Sequence, residues 1–291
     1  MRVLVTGAHG FIGRQVVAAL AAAGHEVISA RRGAGTAPTF AGVEIDCDFA
    51  RDQHAAVWRE RLRGVDAVVN CAGILRERGR DTFEGVHVSG PLALFRGCVE
   101  AGVGRVIQVS ALGDPADGEF VASKHRGDAM LMSLPLRWTV LRPSIVYATR
   151  GSYGGTSLLR AMAALPGVLP LPLDGQQRIA PVSAADLAKL VVDAVGSDAG
   201  AGEVIEVTGP EIITFETYLR AWRYWLGFAD ARSIRVPRPL VALASRIGEV
   251  VGSGPLGLTM LRMLERGNVP IEATRPRAGG ARATRRLADV L

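Results

Sequence analysis

The sequence predicts an α/β fold: a doubly wound parallel sheet followed by a small, mostly helical C-terminal lobe. Three observations carry that expectation. Short β-branched apolar runs alternate with longer alanine- and leucine-rich stretches, the rhythm of successive βα units. A turn punctuated by Gly7, Gly10 and Gly13 lies between the first run and the first helical stretch. After Arg142 the simple alternation is lost.

Strands are expected at Arg2–Thr6, Glu26–Ala30, Val43–Cys47, Ala67–Asn70, Arg105–Ser110 and Trp138–Arg142, each a short apolar run bounded by turn residues. Helices are expected at Phe11–Ala23, Gln53–Arg61, Thr82–Ala101 and Phe120–Ser133. Pro91 marks a kink or break, because it lacks the N–H that a helix interior needs. Gly151–Gly155 and Pro166–Pro172 read as loops, and Glu203–Val207 reads as a strand that rejoins the sheet. Residues 211–270 read as helical, with amphipathic Phe215–Leu226 and Leu258–Arg266. Pro270–Gly280 reads as loop or frayed end. The expected division is a sheet domain over 1–210, with insertions after 143, and a helical lobe with a basic tail over 211–291.

Composition excludes several classes. With 48% hydrophobic and 21% charged residues among 291, the chain is too apolar to be disordered and long enough for one large domain and a lobe. The formal charge of +6 suggests an anionic partner. However, residues 272–291 hold five arginines against Glu272 and Asp289, so half of that excess sits in a tail. The body is therefore not a nucleic-acid surface by charge. Cys47, Cys71 and Cys98 are odd in number and lack metal-ligand spacing; they read as small buried hydrophobes in a reducing compartment, with no metal. Val3–Val5 is too short for a signal-peptide core, and Pro239–Leu261 is broken by Arg246, Glu249, Gly252, Gly254 and Pro255. A cytoplasmic protein without a spanning helix is expected.

The glycine turn is the first chemical signal. Gly7 permits a sharp strand-to-helix turn, Gly10 a close approach to a pyrophosphate, and Gly13 the closing of helix on sheet. The helix N-terminus offers unpaired N–H groups and partial positive charge to phosphates, with His9, Phe11 and Ile12 in the same stretch. A dinucleotide site is expected there.

The Gly-x-x-Gly-x-x-Gly spacing, with Thr6 before it and Phe11-Ile12 inside it, resembles the extended and atypical short-chain dehydrogenase/reductases, a Rossmann-like family. Other segments agree in order. Asp48-Phe49 with Asp52 resembles that family's adenine-contacting turn, and Asn70-Cys71-Ala72-Gly73 its Asn-x-Ala-Gly segment. Ser110 ends the fifth strand, and the run containing Pro143, Ser144 and Ile145 resembles the loop beside the nicotinamide. Pro181-Val182-Ser183 to Asp186 also fits. Within the family the chain is most similar to the branch that looks like the NAD(P)H-binding accessory subunit of respiratory complex I. The resemblance is strong over residues 1 to about 190 and thin beyond 211.

The second strand should end above the adenosine ribose, where a carboxylate would accept from the 2′-hydroxyl and repel a 2′-phosphate. Here the residues are Ala30-Arg31-Arg32, and two guanidinium groups suit a phosphate dianion. NADP(H) is expected over NAD(H).

The resemblance also implies a tyrosine four residues before a lysine on one helix. The lysine holds the nicotinamide ribose and lowers the phenol pKa, so that the phenol can exchange a proton with substrate. The aligned segment is Phe120-Val121-Ala122-Ser123-Lys124, so the lysine is present and the phenol is not. His87 falls at the slot of the family's asparagine, and Ser110 at that of its serine. Only Lys124 and Lys189 among 34 cations are lysines, which singles out Lys124. Tyr147, Tyr153 and His125 are weighed as replacement donors; for each, a structural role explains the residue better than catalysis does. Two functions are expected in parallel. One is an NADP(H)-dependent reductase of a small apolar carbonyl or enone. The other is a non-catalytic NADP(H)-binding assembly, regulatory or sensing protein. A peripheral membrane or protein partner stays open for the apolar C-terminal helices.

Overall fold

A computed structural model describes residues 1–33, 42–198, 200–251, 257–270 and 286–290. The chain begins with β1 (Arg2–Thr6), α1 (Phe11–Ala22), β2 (Glu26–Arg31), β3 (Val43–Asp46), α2 (Ala55–Arg61) and β4 (Ala67–Asn70). A π-helical turn, Glu84–Ser89, runs into α3 (Gly90–Ala101), then β5 (Arg105–Val109), α4 (Glu119–Met132) and β6 (Trp138–Pro143). There follow β7 (Val146–Tyr147), α5 (Gly154–Ala163), β8 (Val168–Pro172), β9 (Arg178–Ile179), β10 (Val182–Ser183), α6 (Ala184–Gly196) and β11 (Glu203–Val207). The last elements are β12 (Ile213–Thr214), α7 (Phe215–Trp225), β13 (Arg232–Val236), α8 (Arg238–Val251), α9 (Leu258–Arg266) and α10 (Leu287–Val290).

Two compact units result. Met1–Pro143 with Ala184–Val207 forms the first, and Ser144–Ser183 with Thr208–Leu291 the second. The first holds a seven-stranded parallel sheet in the order β11-β6-β5-β4-β1-β2-β3. This is the doubly wound arrangement: strand order reverses between β1 and β4, which opens a crevice at their carboxyl ends. The central strands are apolar on both faces because helices cover both; Val3, Leu4, Val5, Val68, Val69, Val106 and Ile107 are fully buried. Helices α1 and α6 pack on each other, and α3 packs on both α2 and α4.

In the second unit, Tyr147, Leu169, Leu171, Ile179, Phe215, Tyr218, Leu219 and Trp222 form the core. Two local expectations fail here. Val168–Pro172 is a strand paired in parallel with β13, not a loop, and β13 itself interrupts the stretch expected to be helical. Pro170 and Pro172 lack N–H groups, but among the described residues β8 pairs on one edge only, with β13, and proline is tolerated on the other edge. The expected loop Gly151–Gly155 already contains the start of α5 at Gly154. The loop reading of Pro270–Gly280 lies, beyond Pro270, outside the described residues. Among the described residues no helix is long and apolar enough to cross a membrane.

Candidate functional site

The ends of the central strands build the site. Thr6 faces Ala30 on one side and Asn70 on the other, and Asn70 faces Gln108. That register lets side chains bond across the strands: Thr6 Oγ1 donates to Asn70 Oδ1 (2.5 Å), and Asn70 Nδ2 donates to Gln108 Oε1 (2.7 Å). Asn70 Oδ1 also accepts from the Ala72 N–H (3.2 Å), fixing the turn that carries Cys71, Ala72 and Gly73.

The glycine turn packs against that turn. Gly7 has φ +64°, and a Cβ on it would lie 2.8 Å from the backbone of Cys71 and Ala72. A Cβ on Gly13 would lie 2.1 Å from the Gly7 carbonyl oxygen, so α1 can close on the turn only without a side chain there. Gly10 is the N-cap of α1, without a side-chain cap, and the first turn holds no acid. With no acid in that turn to offset the positive end of the helix, the cradle fits a dinucleotide pyrophosphate. Beside it is a cleft of about 240 Å³ lined by Gly7, His9, Gly10, Arg31, Arg32, Asp48, Phe49, Cys71, Ala72 and Gly73. Ala30, Cys47, Ile74, Asp81 and Val86 complete the lining. Ten residues anticipated from sequence therefore meet in one cleft, whereas Phe11, Ile12 and Gly13 begin α1 without lining it.

The arginines at the end of β2 have carboxylate partners. Arg31 Nε donates to Glu44 Oε2 (2.8 Å), and Glu44 Oε1 meets His9 Nε2 at 3.2 Å. Arg32 Nη1 reaches both oxygens of Asp81 (2.9 and 2.6 Å). Asp48 accepts from Arg80 Nη2 (2.5 Å) and from the Ala50 N–H (3.1 Å). Sequence reasoning missed Glu44 and Asp81. The first is brought to β2 by the pairing of β3 with β2, and the second by the fold of the loop that follows β4.

Helix α4 supplies the second cluster. Lys124 is buried, and its Nζ donates to the carbonyls of Ala72 (3.1 Å) and Val109 (3.0 Å). Burial pulls its pKa down to about 8, against the opposing charge of Asp128. A Cβ on Gly73 would lie 3.1 Å from Lys124 Nζ and 3.4 Å from His87 Nε2, so both groups back the Gly73 wall of the cleft. Pro91 withholds a helical N–H from the His87 carbonyl, and the helix widens into the π turn just before it. The expected break is thus displaced from Pro91 onto Glu84–Ser89.

The Ile74 N–H donates to His87 Nε2 (3.0 Å), which leaves the ring proton on Nδ1 to bond Ser123 Oγ (2.8 Å). Ser123 Oγ donates in turn to the Phe120 carbonyl (3.1 Å). Phe120 packs edge-on against Phe83 and His87, with ring centroids 6.4 and 5.8 Å away, so apolar rings stand where a phenol was sought. Ser110 Oγ donates to Asp128 Oδ2 (2.8 Å), and Arg142 Nε donates to the same oxygen (3.0 Å). Asp128, fully buried, was also missed; its place four residues after Lys124, on one helix face, was the available signal.

The remaining candidates lie elsewhere. His125 Nε2 bonds the Ala111 carbonyl (3.0 Å). Tyr147 is buried between Tyr218 and Trp222 in the second unit, and burial of Tyr153 pushes its phenol up to about 12. Pro143 ends β6, whereas Ser144 and Ile145 belong to the second unit. There Ser144 Oγ donates to the Asn268 backbone carbonyl (3.0 Å) and to its Oδ1 (2.5 Å).

Known proteins resemble this chain in sequence and in fold. Residues 7–198 match the NAD(P)H-binding family model. A 150-residue stretch, 50% of the chain, is 29% identical to an uncharacterized protein of Mycobacterium tuberculosis, but the match spans only 15% of that protein's length. A ceramide reductase of Caulobacter vibrioides is 28% identical over 84% of this chain and 76% of its own. The mitochondrial NADH dehydrogenase [ubiquinone] 1 alpha subcomplex subunit 9 of Mus musculus is 28% identical over 86% of this chain and 67% of its own. In fold, the chain resembles UDP-N-acetylglucosamine 4-epimerase from Bacillus cereus, with a TM-score of 0.66 at 18% identity, covering 92% of this chain and 100% of that one.

Proposed function

Because the chain belongs to the NAD(P)H-binding family, with the fold of the extended short-chain dehydrogenase/reductases, we propose that it is an NADP(H)-dependent oxidoreductase that reduces a small apolar enone. The observation that carries this reading is the position of Lys124, buried against the Ala72–Gly73 wall of the cleft beside the glycine turn. When bound, the dinucleotide supplies the hydride chemistry of its nicotinamide. Gly7, Gly10 and the start of α1 would hold its pyrophosphate, Asp48 and Phe49 its adenine side, and Lys124 its nicotinamide ribose. The substrate class follows from the surrounding side chains. Phe83 and Phe120 give an apolar wall, Phe120 has no proton to lend to a ketone oxygen, and the Ser110 hydroxyl already donates to a buried carboxylate. An enone depends less on a donor at its oxygen, since the carbon receiving the proton can take it from water.

NADP(H) is favoured by Arg31 and Arg32 on the cleft wall and by Ala30 in place of a carboxylate. Their partners Glu44 and Asp81 would have to share these arginines with a 2′-phosphate. Titration of the purified chain with NADPH and NADH, followed by fluorescence and thermal shift, tests the reading. About tenfold tighter binding of NADPH is expected, with Arg31→Glu and Arg32→Glu weakening NADPH selectively. Equal losses for both nucleotides refute the preference, and no binding of either refutes the function.

The same two observations, Phe120 and the committed Ser110 hydroxyl, also favour a second reading: a non-catalytic NADP(H)-binding assembly or sensing protein. The relatives at similar identity include both a reductase and a complex I subunit. Binding without NADPH oxidation across a panel of carbonyls and enones supports that second reading. Ketone reduction gained by Phe120→Tyr shows that the site lacks only its acid.

A further inference from the structure

Helix α8 is built inside out. Leu240, Leu243 and Ile247 are 57%, 55% and 54% exposed, while the buried one among its described residues is Ser245. At 100° per residue the three aliphatic side chains fall within about 60° of arc, with Ser245 on the far side. A helix held only by its own fold turns its large aliphatic side chains inward; here the small polar residue is inside.

The cations are distributed to match. Between residue 231 and the end of α8 at Val251 the chain carries Arg232, Arg235, Arg238 and Arg246 against one acid, Glu249. Arg246 follows the stripe on the same helix, one residue before Ile247 and three after Leu243. Arg232, Arg235 and Arg246 are exposed, and so is Arg262 on α9, the helix that α8 packs against. Arg238 is paired with Glu265 of α9 (2.5 Å). Ile234, between Arg232 and Arg235 on β13, is 46% exposed. The apolar stripe thus sits in a cationic surround.

We propose that this face of the second unit docks on an anionic lipid surface, with Leu240, Leu243 and Ile247 entering the acyl boundary and the arginines meeting the headgroups. Arginine suits that rim because its aliphatic stem lies along apolar surface while the guanidinium reaches outward. A stripe of three residues on a 14-residue helix gives reversible attachment. A second copy of this chain fits the face less well. A two-fold contact would bring the arginines of one stripe toward those of the other, four cations against the single acid Glu249 in each segment. The inference does not depend on the dinucleotide reading.

Co-sedimentation of the full chain with vesicles decides it, comparing phosphatidylcholine alone with phosphatidylcholine carrying about a third phosphatidylglycerol. The expected result is at least about fivefold more pelleted protein with the anionic vesicles, an excess that falls as salt is raised. The combined Leu240→Ser, Leu243→Ser and Ile247→Ser variant should lose that binding with its melting temperature unchanged, and Arg246→Glu alone should weaken it. Equal pelleting with both vesicles, no pelleting, or a triple variant that pellets like the parent overturns the proposal. A concentration-dependent dimer in sedimentation velocity that the triple variant abolishes also overturns it, in favour of a second copy. Should the triple variant fold poorly, Arg246→Glu and the salt series still read the outcome.

Discussion

At His87 the Ile74 N–H holds Nε2 and the ring proton on Nδ1 is given to Ser123, so an imidazolium would have to break the first bond. Burial and the charges of Lys124 and Arg126 push its pKa down to about 2, below the ordinary value of 6.5. The unfolded chain takes up a proton below about pH 6.5 that the folded chain refuses. This residue therefore costs no stability at neutral pH and destabilises progressively on acidification, by at most about 1.4 kcal/mol per pH unit. His87→Asn should flatten that acid limb. Urea midpoints of parent and variant between about pH 4.5 and 7.5 check it, and parallel curves would refute it. Lys124 and Phe120 were legible in sequence because i, i+4 spacing on a helix is local. Asp128 shares that local spacing, but its partners Ser110 and Arg142, like the arginine partners of Glu44 and Asp81, are decided by packing.

Glycine spacing in the first βα unit encodes contact as well as flexibility. The Cβ of Gly13→Ala would meet the Gly7 carbonyl at 2.1 Å, whereas that of Gly10→Ala would meet it at 3.1 Å. The first has no rotamer to relieve it, so a loss of about 1–3 kcal/mol is expected, together with weakened NADPH binding. Gly10→Ala should cost less stability. Melting curves and titrations of the two variants check the ranking, and equal melting points would refute it. Helix α4 makes a similar close approach at Gly127, where a Cβ would lie 2.2 Å from the His87 carbonyl at the π turn. Among strands, β8 escaped sequence reading because two prolines in five residues argue against a strand unless an edge is free, and edge status is a tertiary fact.

The second unit is assembled from two stretches separated by α6 and β11. A chain ending at Val207 would keep all seven strands of the sheet. It would also keep residues 144–183 without their partners: β8 without β13, β9 without β12, and Tyr147 without Tyr218 and Trp222. Such a truncation should aggregate and bind a hydrophobic dye strongly, and a soluble, cooperatively melting monomer would refute this. The sequence alone determined the parallel sheet, the glycine turn, the lysine–phenylalanine pair and their order along the chain. These are encoded in short-range periodicity and spacing, which act within a few residues. The tertiary structure decided which carboxylates hold Arg31, Arg32 and Ser110, which segments share the second core, and which face of α8 is left outward. Those depend on residues far apart in the chain, whose meeting is set by strand register and side-chain packing.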